Sequence, residues 1–422
     1  MSHPCCPGGP IIIATYAQRL RWLGRNARLN LLVCATAGFC RFGIAAVLLN
    51  LYLLRLGYGP EFIGLFNGFA QMVNTAVCLP AGALGARYGC RRAMIAGVLL
   101  ATAGSALLVL VELLPTSLWA PWLLATNAIV YLGTALWGVN SPPFFAGVTS
   151  DEDRVYAFSV QQALIPLAGF AGSLVGGFLP GLLTQTLGLP PDGAASYRYP
   201  LLFATAAYGF IGLPALLAMR ESPSACARPA AAGPEGAPYR VIFVIAASTV
   251  LRMSGYWAAT IFFNVYLSTT LQAPTSLIGA LSAVGQLIAV PAALATPLLT
   301  DRLGQGRTLV WAMAGVVLSM LPLALVPRLG AAGFGLASVA TTAWVASAAF
   351  IVFCQEIVEP HHRALMSGAV QMSFGLSSAL VSIGGGVIIA SLGYRWLFLI
   401  AAGVTAAGTF LFWAYFRRRN QL

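Results

Sequence analysis

Long apolar stretches separated by short polar gaps run along the whole chain. Crossing about 30 Å of hydrocarbon takes about twenty apolar residues in a helix that rises about 1.5 Å per residue. Twelve stretches reach that length, at about 30–54, 61–84, 93–113, 118–142, 155–184, 199–219, 241–267, 276–299, 308–327, 332–356, 364–391 and 395–416. Only Pro327, Arg328 and Gly330 mark the break between the ninth and the tenth. Such runs predict an all-α polytopic membrane protein, because a helix satisfies its own backbone in lipid.

The stretches fall into two groups of six. Residues 220–240 are rich in Pro, Ala and Gly and form the longest break on their side of the membrane, which reads as a flexible linker. The predicted organisation is a tail over 1–28, a six-helix bundle over 29–219, the linker over 220–240, a second bundle over 241–416 and a tail over 417–422. The halves also repeat in sequence. Arg87 and Gly89 lie 215 residues before Arg302 and Gly304, as Ile63 does before Ile278. Asn50-Leu-Tyr52-Leu lies 214 before Asn264-Val-Tyr266-Leu, and Arg154 lies 209 before Arg363. Paired six-helix halves are how many secondary transporters build a site at the midplane.

Composition agrees with the pattern. Charged residues make up 8% of the 422 and hydrophobic residues 59%, too few charges for a water-facing surface. The 23 basic residues are all arginine. Seventeen lie in the tails, the linker and the even-numbered gaps, against four (Arg55, Arg198, Arg328 and Arg395) on the other side. The positive-inside rule then puts both termini and the linker in the cytoplasm, with the bundle in the inner membrane. The net charge of +12 is explained by topology rather than by nucleic acid, since no segment is polar enough to carry a basic patch. Ile11-Ile12-Ile13 is too short for a cleavable signal, and residues 11–28 read as an interfacial helix with Tyr16, Leu20 and Leu23 toward lipid. The eight cysteines have no metal-cage spacing, so neither metal nor cofactor is expected, and a monomer is the expected state.

Two loops carry a family resemblance. The first is Gly82-Ala-Leu-Gly85-Ala86-Arg87-Tyr88-Gly89-Cys90-Arg91-Arg92, between spans two and three. The second is Thr300-Asp301-Arg302-Leu303-Gly304-Gln305-Gly306-Arg307, between spans eight and nine. They resemble the G-x-x-x-D-R-x-G-R-R loops of the major facilitator superfamily, and the resemblance covers essentially the whole chain. It implies a transporter with two pseudo-symmetric bundles and a gate built from these loops. Arg87, Gly89, Arg91, Asp301, Arg302, Gly304 and Arg307 are the gating candidates. Glycine permits the tight turn, and arginine bonds helix-end carbonyls or a neighbouring carboxylate. The usual aspartate of the first copy is Ala86, which weakens the latch on that half. In span five, Gly169-Phe-Ala-Gly172-Ser173-Leu-Val-Gly176-Gly177 resembles the glycine motif of family antiporters, with Ser173 at the proline position. Exchange or simple close packing explains these glycines equally well.

Charges inside the spans are the sharpest candidates for a site. Arg41 and Arg252 each lie about eleven residues into a span, roughly 17 Å deep. A charge there costs about 2.5–3.5 kcal/mol and usually faces a cavity. No carboxylate lies at comparable depth; Glu112 is at an outer end. An anionic group on the solute would supply the missing counter-ion, as in organic-phosphate exchangers of the superfamily, which the chain resembles only in this logic. Tyr52 shares a helix face with Arg41, and Tyr256 and Tyr266 with Arg252. Gln71, Asn140, Gln162, Gln286 and Gln371 complete the candidate lining, while Asn50 and Asn264 lie off these faces and read as packing residues.

The expected function is a secondary active or facilitative transporter of a small organic solute, working by alternating access against the solute alone, a coupling ion or a counter-substrate. A multidrug or metabolite efflux antiporter is the alternative, but the spans lack a proton-carrying carboxylate. An enzyme is not expected: His361 and His362 stand alone in a loop, and no phosphate-binding G-x-x-x-x-G-K-[ST] exists without lysine.

Overall fold

The computed structural model describes residues 24–149, 151–188, 190, 193–220, 239–358 and 363–417. The proposed interfacial segment up to residue 23, most of the linker (221–238), His361 and His362, and the last five residues lie outside the described residues.

All the long elements are helices, numbered here in chain order. The first half holds α1 (Arg25–Arg55), α2 (Pro60–Tyr88), α3 (Cys90–Leu113), α4 (Thr116–Gly147), α5 (Asp151–Leu187) and α6 (Ala195–Ala218). The second holds α7 (Tyr239–Thr269), α8 (Thr275–Leu303), α9 (Gln305–Leu325), α10 (Leu329–Glu356), α11 (Arg363–Leu392) and α12 (Tyr394–Arg417). Among the described residues eleven are long and apolar enough to cross a membrane; the twelfth, α8, carries its described apolar stretch at Thr275–Ile288. The break between α9 and α10 falls at Val326–Arg328, where the backbone turns extended after Pro322 removes an amide donor near the end of α9. Large apolar side chains such as Phe210, Phe243 and Trp311 point outward, as lipid-facing positions do.

Equivalent helices pack alike. In the first half α3 packs on α4 and α6, and α2 on α4; in the second α9 packs on α10 and α12, and α8 on α10. The halves meet through α2 against α11 and α5 against α8, two contacts that the repeat interchanges, with α1 against α7 between them.

The start of α1 and the end of α12 lie on one side, here the terminal face; the start of α1 is tied to the end of α6 there, where Asn26 Nδ2 donates to the Arg220 carbonyl at 3.1 Å. Toward the opposite, distal face one buried apolar cluster crosses both halves and includes Tyr52, Ile63 and Phe66 with Phe262, Phe263 and Ile278. Toward the terminal face the second half has its own cluster, around Ile245, Phe350 and Phe416. The two halves are therefore joined at the distal face and parted toward the terminal face.

Candidate functional site: a cavity between the halves

Two helix faces with the same spacing look at each other across the interface. On α2 these are Gln71, Asn74, Thr75 and Cys78, and on α11 Gly368, Gln371, Met372 and Gly375. Steps of three and four residues keep each set on one side of its helix. With Met253, Tyr256 and Trp257 of α7 and Trp344 and Ser347 of α10, they enclose a cavity of about 490 Å³. Among the described residues no arginine, histidine or carboxylate lines it. Its polar groups are amide, hydroxyl, thiol and indole, set in a wall that is largely apolar and includes Leu79, Val139, Met253, Ala343, Met372 and Phe374. The Tyr256 and Trp257 rings meet edge-on at 5.0 Å, and the buried Trp257 Nε1 has no acceptor among the described residues.

The distal end of this cavity is sealed by close approach of α2 and α11. A Cβ on Gly375 would collide with the Thr75 side chain, and one on Gly64 would meet the backbone of Ser382 and Gly386. Across the other interface a Cβ on Gly177 would lie 2.8 Å from the Cα of Gly279. The glycines of the α5 motif thus serve close helix contact: Gly177 faces α8, and Gly172 packs on Phe39 and Gly43 of α1.

Between α1 and α7 the seal is a reciprocal pair of hydrogen bonds. Asn50 Nδ2 donates to the Ile261 carbonyl, and Asn264 Nδ2 to the Ala46 carbonyl, each at 3.0 Å. Each amide is held from its own half: Asn67 Nδ2 donates to Asn50 Oδ1 at 3.0 Å, and Ser282 Oγ to Asn264 Oδ1 at 3.2 Å. Both asparagines therefore link the halves rather than only filling space. Gln286 adds a third link, donating from Nε2 to Ser173 Oγ at 2.8 Å and to the Phe42 carbonyl at 3.0 Å.

Of the residues chosen from sequence, Gln71, Tyr256 and Gln371 meet in the cavity, and the others stand elsewhere. Arg41 lies half-buried in a π-helical segment of α1, Gly38–Ala45, within electrostatic reach of Tyr131 and Tyr208 of its own half. Arg252 is 1% exposed at the end of the first segment of α7. Its guanidinium lies 3.6 Å from the Phe350 ring centroid, and Nη2 donates to Thr249 Oγ1 at 3.2 Å. Its Nε and Nη1 have no acceptor among the described residues. Tyr52 donates to Glu112 Oε1 at 2.9 Å, and Glu112 pairs with Arg198 at 3.1 Å, which closes the distal ends of α1, α3 and α6. Tyr266 packs against Tyr394 and Phe398. Asn140 spends its amide on the Ala81 and Leu136 carbonyls, and Gln162 is exposed on α5.

The loop motifs form matching turns. Gly89 and Gly304 have φ of +97° and +82°, in the region that favours glycine, and each amide closes a bond at 2.9 Å to the residue four back. Arg91 donates from Nε and Nη2 to the Leu216 and Leu217 carbonyls at 3.0 and 2.7 Å, tying α3 to the last turn of α6 within one half. Arg87 stacks on Tyr88 at 5.2 Å, and Arg302 is exposed in the last turn of α8. The backbone of Asp301 belongs to that turn. Arg307 faces α12 on the outside of the second half.

Sequence reading missed Thr75, Cys78 and Ser347 in the cavity, and Asn67 and Ser282 behind the asparagines. The α2 set was detectable, because 71, 74, 75 and 78 share a face and are all polar or small.

The sequence matches the Major Facilitator Superfamily over residues 31–380 and again over 245–421. The chain belongs to that superfamily. It is 28% identical over 347 residues to an uncharacterised MFS-type transporter of Mycobacterium tuberculosis, covering 78% of this chain and 76% of that one. Among solved structures, a D-xylose–proton symporter superposes with a TM-score of 0.72 at 15% identity, over 92% of this chain and 96% of that one. The nucleoside transporter NupG gives 0.70 at 15%, over 92% and 100%. A bacterial homologue of the human lysosomal transporter Spinster gives 0.69 at 16%, over 92% and 96%. These likenesses show the superfamily fold, two six-helix bundles around a central cleft. The protein is thus a multi-pass membrane transporter of some solute.

Proposed function

We propose that this transporter moves a small, neutral, polar organic solute by alternating access, with the cavity between α2, α7, α10 and α11 as its binding site. The observation that carries the reading is the uncharged lining, with Gln71 and Gln371 presented from opposite halves. Amides offer both donors and acceptors, and indoles offer flat apolar faces with one donor each. That combination suits hydroxyls and ring faces, and it leaves an ionic group without a counter-charge. The terminal face is the cytoplasmic side, following the arginine asymmetry, so the arrangement described is the inward-open one. Arg87, Gly89, Arg91, Asp301, Arg302 and Gly304 form the turns that control closure on that side.

The test is binding to the purified transporter by a panel of neutral, anionic and cationic solutes, read as thermal stabilisation. Neutral polyols, sugars or nucleosides are expected to stabilise, and Gln71→Ala and Gln371→Ala each to weaken binding about tenfold, the equivalent of about 1.4 kcal/mol. Stabilisation by anions alone would refute the reading.

A second reading rests on Arg252, whose Nε and Nη1 an anion would satisfy. It requires the guanidinium to leave Phe350 and turn toward the cavity that the next residue, Met253, lines. With Arg41 as its partner in the other half, it predicts that Arg41→Gln and Arg252→Gln both abolish transport of an anion while leaving the protein folded.

A further inference from the structure

The repeat exposes a difference between the halves at the terminal face. At the offset of 215 residues, Arg91 corresponds to Gly306 and Arg92 to Arg307. In the first half Arg91 fills the gap between α3 and α6 by bonding the carbonyls that end α6. In the second half a buried glycine, Gly306, stands at that position, and next to it, between α9 and α12, lies a cavity of about 270 Å³. It is lined by Arg307, Val310, Trp311, Trp413 and Arg417. The Arg417 guanidinium lies 4.8 Å from the Trp413 ring, and Arg307 sits in the first turn of α9. No carboxylate lines the cavity among the described residues.

The groove is graded along the membrane normal. Two guanidinium groups stand at the ends of their helices, where the bilayer meets water. One turn deeper are Trp311, 69% exposed, and Trp413, at the level that amphipathic rings prefer. Deeper still, exposed Leu318 continues the Trp311 face of α9, and Phe410, 5.7 Å from Trp413, continues α12. Charge, indole and hydrocarbon follow in the order of phosphate, glycerol and acyl chain in a phospholipid.

We infer that the α9–α12 groove is a binding site for an anionic phospholipid, whose phosphodiester bridges Arg307 and Arg417 while an acyl chain lies along Trp311, Leu318 and Phe410. Two arginines from separate helices bind a phosphate by charge-assisted hydrogen bonds. A net-negative headgroup is favoured because, among the described residues, no acidic side chain lines the cavity to receive the ammonium of a zwitterionic one. Basic pockets between transmembrane helices are suited to such headgroups.

The experiment uses the full chain reconstituted with phosphatidylglycerol or phosphatidylcholine whose acyl chains are brominated, and reads quenching of tryptophan fluorescence. Brominated phosphatidylglycerol at low mole fraction is expected to quench severalfold more than brominated phosphatidylcholine. That excess should vanish in Arg307→Gln/Arg417→Gln, persist in Arg307→Lys/Arg417→Lys and shrink in Trp311→Phe/Trp413→Phe. Equal quenching by both lipids, or an excess unchanged by the double glutamine variant, would overturn the proposal. Glycerol phosphate or inorganic phosphate in the buffer should not remove the excess; if either competes at low millimolar concentration, the site takes a free phosphate and the lipid assignment is wrong. The readout is independent of transport, so its failure is distinct from a failure of the cavity reading.

Discussion

Arg252 shows how little depth alone says about a residue's role. A buried guanidinium costs several kcal/mol unless it is compensated. Here part of the compensation is aromatic: the contact with Phe350 is close enough for a cation–π interaction of about 2 kcal/mol in a desolvated site, and Thr249 takes one donor. Arg252→Lys keeps the charge and loses the flat stack. Thermal unfolding in detergent should show it less stable by about 1–2 kcal/mol, whereas Arg252→Met keeps the volume, discards the charge and should be neutral or stabilising. A large loss in Arg252→Met with Lys unaffected would mean that the charge itself is needed. The depth of this residue was legible in sequence, because an arginine eleven residues into an apolar run has nowhere else to be. Its partner was not, since Phe350 lies on another helix and looks like any apolar residue of a span. The same holds for Tyr52, whose hydroxyl is taken by Glu112 of α3 rather than by anything on the Arg41 face.

Among elements, the α1–α7 contact carries the most specific mechanical consequence. Asn50 and Asn264 exchange bonds to each other's helix, and each is braced by a residue of its own half. Opening the distal face must break both of these asparagine bonds. At roughly 0.5–1.5 kcal/mol for a net hydrogen bond, removing both shifts a two-state equilibrium by about one to two orders of magnitude. Asn50→Ala/Asn264→Ala should therefore raise the labelling of a cysteine placed at the distal end of α1 by a membrane-impermeant thiol reagent. Each single variant should fall between wild type and the double, and unchanged labelling in the double variant would make the bonds incidental. The turns at the terminal face invite a parallel test. Alanine at Gly89 or Gly304 must adopt positive φ with extended ψ at a cost of about 1–3 kcal/mol, so Gly89→Ala and Gly304→Ala should slow turnover while inserting normally; full turnover in both would remove the turns from the gate. The repeat offset had marked Asn50 and Asn264 as equivalent, and the polar set on α2 was readable from helical spacing. That the asparagines bond reciprocally, and that the cavity leans on α7, α10 and α11 rather than on the two arginines, depends on how the halves are rotated against each other. No local pattern encodes that rotation.

At the scale of the whole molecule, a core that is continuous at the distal face and split toward the terminal face is the arrangement that the proposed alternating access requires of one of its two states. The twelve helices were legible because hydropathy sets them directly and the two-half plan because the linker and the repeat mark it, and the arginine count on each side sets the orientation proposed here. A reporter fused after Leu422 should be cytoplasmic, and a periplasmic reporter would reverse the assignment of both faces. The charge preference of the site is the central claim, and counterflow in proteoliposomes tests it most directly. Vesicles loaded with a panel of unlabelled neutral, anionic and cationic solutes are diluted into trace labelled solute, and transient accumulation is followed. Accumulation of a neutral polar solute, lost in Gln71→Ala and Gln371→Ala and retained in Arg41→Gln, is the predicted result. Accumulation of anions only, abolished by Arg41→Gln or Arg252→Gln and indifferent to both glutamine substitutions, would contradict it.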